Sequence, residues 1–73
     1  MNKEETQMMA FQLIGFAGDA FSHFFQAIDA AKKADYEEAE RLIQEGKKSM
    51  KEAHDAQTDL LSAEADGKDL AYS

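Results

Sequence analysis

The chain has no cysteine, no proline and no tryptophan, and only four glycines in 73 residues. Without cysteine there is no disulfide and no thiolate-based zinc site. Without proline nothing breaks a long helix from within. Cations are scarce as well: eight lysines and arginines stand against fifteen acids, for a formal net charge of −7. That balance offers no basic patch to nucleic acid and disfavours anionic lipid. No apolar run approaches the ~20 residues of a membrane span. The opening MNKEETQ carries two acids and no apolar stretch of signal-peptide length. The expectations are a single domain, no nucleic acid, no membrane insertion and a cytoplasmic location.

What is present points to helix. Ala, Glu, Lys, Gln, Leu and Met dominate, and all are strong helix formers, so the fold class is all-α. A chain of this size buries only ~60 % of its unfolded surface, which leaves a marginal core. With no covalent staple available, homo-oligomerisation is the remaining route to stability.

The spacing predicts a first helix over about residues 3–33 with two apolar stripes. One runs through Ala10, Leu13, Ala17, Ala20, Phe24, Ala27 and Ala31. The other runs through Phe11, Ile14, Gly18, Phe21, Phe25 and Ile28, and Phe16 adds width. Both step by three and four, which keeps residues on one helical face. A single neighbouring helix covers one stripe, so this helix is expected to lie between partners. Phe11, Ile14, Phe16, Phe21, Phe24, Phe25 and Gln57 are the candidate surface for an oligomer or a third helix.

A break is expected at Lys32-Lys33-Ala34-Asp35, with Asp35 and Glu38 in capping-box spacing. A connection this short forces an antiparallel hairpin. The second helix is expected over about residues 36–65. Its seam is read as Tyr36, Ala39, Ile43, Gly46, Met50, Ala53, Gln57, Leu60 and Glu64, widened by Leu42 and Leu61. Gln57 stands in that seam where an apolar residue is the default. It either fixes register through a buried partner or lies at a wet edge. Gly67 is a natural helix stop, and Leu70 and Tyr72 read as leading into a further element.

No catalytic site is visible in the residues. His54 has Glu52, Asp55 and Thr58 within a turn and only Lys51 as a cation, a neighbourhood that repels a phosphoryl dianion. It is expected to be a partly buried imidazole at the edge of the seam. His23, four residues after Asp19, is expected to form a carboxylate–imidazole pair on a solvated face, since two ligands make a poor metal site. Ser–His–Asp constellations, phosphate loops and zinc motifs are absent.

The stretches GFAGDAFS, AAKKADYEEAE, KEAHDAQTDLL and DGKDLAYS, in that order and spacing, resemble the lactose/cellobiose-type enzyme IIA subunits of the bacterial sugar phosphotransferase system. The resemblance implies a three-helix bundle that assembles as a homotrimer, of which this chain supplies two helices. It implies a phosphoryl carrier for sugar transport, charged by HPr and discharged to a cysteine of the IIB subunit. The family's phosphoryl-accepting histidine and metal-binding aspartate belong to its third helix, past Ser73. The resemblance thus places no catalytic, cofactor or metal residue in this chain, and a divalent metal only in the full-length trimer. The rival expectation is a non-enzymatic helical interaction and oligomerisation module.

Overall fold

The computed structural model describes residues 2–66, which form two long helices, α1 (Lys3–Lys32) and α2 (Tyr36–Asp66). The expected all-α hairpin is therefore present, with its break where the lysine pair placed it. Gly67, Leu70 and Tyr72 lie outside the described residues.

Each end of α1 is closed by local chemistry. The Asn2 side chain accepts a hydrogen bond from the Glu5 backbone N–H at 2.8 Å, and Glu4 and Glu5 sit at the positive end of the helix dipole. At the other end the Asp35 N–H donates to the Ala30 carbonyl at 2.9 Å, and the Ala34 N–H donates to the Ala31 carbonyl at 3.0 Å. This is the paired bonding of a Schellman motif, and its left-handed residue is Ala34, at φ 62°. Asp35 then starts α2 by accepting from the Glu38 N–H at 3.3 Å.

Only half of the expected capping box forms. The Asp35 N–H is already engaged by Ala30, so the Glu38 carboxylate turns instead to the Arg41 guanidinium, 2.6 Å away. Ala34 is the one non-glycine described residue in the left-handed region, where a Cβ crowds the following carbonyl. Ala34→Gly is expected to raise the stability of the hairpin by about 1 kcal/mol, read as a higher urea midpoint at fixed protein concentration. A lower midpoint would mean that the turn does not hold this conformation.

The two helices meet along a narrow, alanine-rich seam. Ala20, Ala27 and Ala30 of α1 are buried against Ala39, Leu42 and Ala53 of α2, with Gly46 and Ser49 also buried. Ala56, Leu60 and Ala63 continue the α2 line as half-buried residues. The α2 seam thus reads 39, 42, 46, 49, 53, 56, 60, 63, a strict alternation of three and four.

This corrects half of the seam expected from the sequence. Ala39, Gly46, Ala53 and Leu60 hold; Leu42, expected to widen the seam, is buried in it with Ile43 half-buried against it; Ser49 and Ala56 replace Met50 and Gln57. Tyr36 and Met50 are exposed rather than buried. The physical reason is closeness: alanines on α1 draw the backbones together, so Ser49 and Ala56 fit between them where Met50 and Gln57 do not. The molecule is a ribbon of 53 × 15 × 11 Å, one helix thick.

Candidate functional site: an uncovered apolar face

The larger side chains of α1 fall on the side that α2 leaves open. Met8, Phe11, Ile14, Phe21, Phe25 and Ile28 are 53–73 % exposed. They follow one another at helical spacing, with Gly18 in their midst, so they form a continuous stripe. Tyr36, Ile43, Met50 and Gln57 of α2 repeat every seven residues just to one side of the seam. Among them, Tyr36 and Met50 are exposed large apolar residues, as is Leu61. An apolar surface of this extent is the candidate interface of the hairpin.

The opposite flank of the hairpin is polar. One shallow cleft there is lined by Met9, Gln12, Phe16, Glu52, Asp55 and Asp59. Another, beside the turn, is lined by Gln26, Lys33, Glu38 and Arg41. Their cations are already paired, Lys33 with Asp29 at 3.0 Å and Arg41 with Glu38. The hairpin therefore has a polar flank, acidic around Glu52, Asp55 and Asp59, and an exposed apolar face.

The sequence-derived candidates divide between these surfaces. Phe11, Ile14, Phe21 and Phe25 stand on the open stripe. Phe16 and Phe24 are half-buried: Phe16 floors the acidic cleft, and the Phe24 ring lies over Gly46 of α2. Gln57 is exposed and outside the hairpin seam. Met8 and Met50 were missed as surface candidates. Met8 extends the stripe one step toward the N-terminus, a continuation legible in the three-and-four spacing. Met50 was misassigned to the seam.

Neither histidine sits in a reactive setting. His54 is exposed, not partly buried as the sequence suggested, because it follows Ala53 and so points away from α1. His23 is half-buried, and its Nδ1 lies 2.8 Å from the Asp19 backbone carbonyl. That nitrogen must carry the proton, since a carbonyl only accepts. The expected carboxylate–imidazole pair is thus replaced by a bond to the preceding turn of the same helix.

Among the described residues no three His, Asp or Glu side chains come together as metal ligands. The described residues therefore supply no complete ligand set for the divalent metal implied by the resemblance. No helix of the described residues is long and apolar enough to cross a membrane.

Comparison with known proteins gives the same assignment as the quoted stretches. Residues 8–73 match the family model described as "PTS system, Lactose/Cellobiose specific IIA subunit". A lactose-specific EIIA component of the PTS system from Staphylococcus aureus (strain N315) is 51 % identical over 73 residues, all of this chain and 71 % of the relative. Those from Lactococcus lactis subsp. lactis and Streptococcus mutans serotype c are each 40 % identical over all of this chain and 70 % of the relative. No solved structure matches the chain. With the matched segment spanning both helices and their turn, the chain belongs to the lactose/cellobiose-specific IIA subunits of the phosphotransferase system.

Proposed function

We propose that this hairpin is the scaffold of a IIA phosphoryl carrier that serves uptake of a lactose-, cellobiose- or chitobiose-type disaccharide. In this reading the carrier takes its phosphoryl group from HPr and hands it to a IIB subunit in the cytoplasm. The observation that carries the reading is the family match over residues 8–73. The acidic flank around Glu52, Asp55 and Asp59 supports docking to basic surfaces on such partners. The open stripe of α1 supports assembly with further helices, including other copies of the chain, as the trimeric arrangement implied by the resemblance requires.

The proposal assigns no phosphoryl transfer to His23 or His54. An incoming phosphoryl group needs positive charge or backbone N–H groups around the accepting nitrogen. Lys51 is the nearest cation to His54 in sequence, and its amine is held by Asp55 at 3.1 Å.

Two readouts test the reading. Deleting the coding sequence is expected to abolish phosphoenolpyruvate-dependent uptake of one of the three disaccharides. Unchanged uptake of all three would leave the non-enzymatic interaction module, which the uncovered stripe also favours. Incubation of the chain with phosphorylated HPr is expected to leave His23 and His54 unlabelled. Acid-labile phosphate on either would overturn their assignment.

A further inference from the structure

The residue after each seam position faces the open side of the hairpin. One step along a helix is a turn of about 100° around its axis. Since α1 and α2 run antiparallel, that turn carries the followers on both helices to the same face. On α1 they are Ile14, Phe21, Phe25 and Ile28, part of the apolar stripe. On α2 they are Ile43, Lys47, Met50, His54, Gln57 and Leu61. Residues just before seam positions, such as Glu52, Asp55 and Asp59, make the polar flank.

His54 and Gln57 are the informative pair. Three residues apart, they adjoin on one side of α2. Both are exposed, and neither side chain forms a hydrogen bond among the described residues. Lys47 has a long stem that can carry its amine out to water. An imidazole and an amide have no such reach. When this face is covered they are covered with it, and buried polar groups need partners. Together they offer N–H donors and lone-pair acceptors within one turn.

The matched relatives exceed this chain by roughly 30 residues, which as one helix make a rod of ~45 Å, close to the 53 Å length of the hairpin. On the phosphoryl-carrier reading, on which this inference rests, the accepting side chain lies outside the described residues. Among the described residues, the open face is the surface apolar enough to seat the segment that bears it.

Glu52 and Asp55 lie within two residues of His54 and repel a phosphoryl dianion. They repel a thiolate or carboxylate acceptor in the same way. They do not repel the far edge of an accepting imidazole, where the ring keeps its proton while its other nitrogen attacks. We propose that His54 and Gln57 are positioning residues for that imidazole. His54 accepts a hydrogen bond from its far N–H, and the His54 ring N–H in turn donates to the Gln57 amide oxygen. The pair fixes the tautomer of the acceptor and aims its nucleophilic nitrogen away from the acids.

The test uses the protein expressed from its full coding sequence and charged by phosphorylated HPr. His54→Phe is expected to slow phosphoryl transfer about tenfold or more and to shift its pH profile. The thermal midpoint is expected to hold, because a phenyl ring suits a covered apolar face. Gln57→Leu should act in the same direction and less. His23→Gln, on the polar flank, should change neither rate nor profile. On phosphorylation the ring resonances of His54 should move and those of His23 stay. Transfer at the unmodified rate in His54→Phe would overturn the proposal. So would a slower rate matched by a lower thermal midpoint with the pH profile unshifted. An unmodified protein that takes no phosphoryl group would sink the carrier reading, and this inference with it.

Discussion

Leu42→Ala is expected to destabilise the hairpin by about 3 kcal/mol, enough to leave much of the chain unfolded at 25 °C. The magnitude follows from what surrounds the residue. Leu42 is 5 % exposed and packs with Ala27, Ala30 and Ala39, and Ile43 covers the cluster from the side. Among the described residues all the other buried hydrophobic residues are alanines, so Leu42 is the only one of them with a side chain larger than a methyl group. Truncating it removes transfer free energy and opens a space that flanking methyl groups are too short to fill. A core this small has only a few kcal/mol to lose. Urea unfolding followed by circular dichroism, at one protein concentration, measures the change. A loss under 1 kcal/mol would mean that the helices are held together elsewhere.

Gly46→Ala is expected to destabilise as well, by about 1–2 kcal/mol, although the same change on an open helix surface stabilises by about 1 kcal/mol. A Cβ at Gly46 would lie 2.5, 2.8 and 2.9 Å from three carbons of the Phe24 ring. Real structures do not tolerate such contacts, so the ring must tilt or the helices must part. The sign is the test. In a Phe24→Leu background the ring is gone, and Gly46→Ala should become neutral or stabilising. Gly15→Ala, where nothing lies within 4 Å, should stabilise in either background. If Gly46→Ala raised the urea midpoint of the unmodified chain, the ring would not rest on the glycine.

Much of this architecture was legible in the sequence because helix periodicity is a local signal. The two stripes of α1, the break after Lys32 and the hairpin follow from spacing, charge and the length of the connection. The open stripe was legible as a surplus of apolar width over what one partner covers.

What resisted reading was the choice between neighbouring candidate lines on α2. Ile43 and Met50 are more hydrophobic than Ser49 and Ala56, so hydrophobicity alone drew the seam one residue too far. The decision belongs to the alanines of α1, which bring the backbones close enough at Ser49 and Ala56 to exclude side chains the size of Met50 and Gln57. The Phe24–Gly46 contact is likewise a property of the pair. Its one local trace is a glycine kept inside an otherwise strong helix-forming run. Ala34 left no trace, because the left-handed turn usually advertises itself with glycine.

The tight turn at Ala34 also settles how these helices can be exchanged between molecules. The α1 line runs through residues 13, 20 and 27, and the α2 line through 39, 46 and 53. Were the turn straightened into a single rod, the twelve positions from 27 to 39 would leave the two lines roughly 120–150° apart around its circumference. A straightened chain would then offer one adhesive edge to one neighbour and the second edge to another. The product would be an open-ended chain of molecules rather than a closed domain-swapped pair, so the bend at Ala34 guards against polymerisation as well as bringing the two helices side by side.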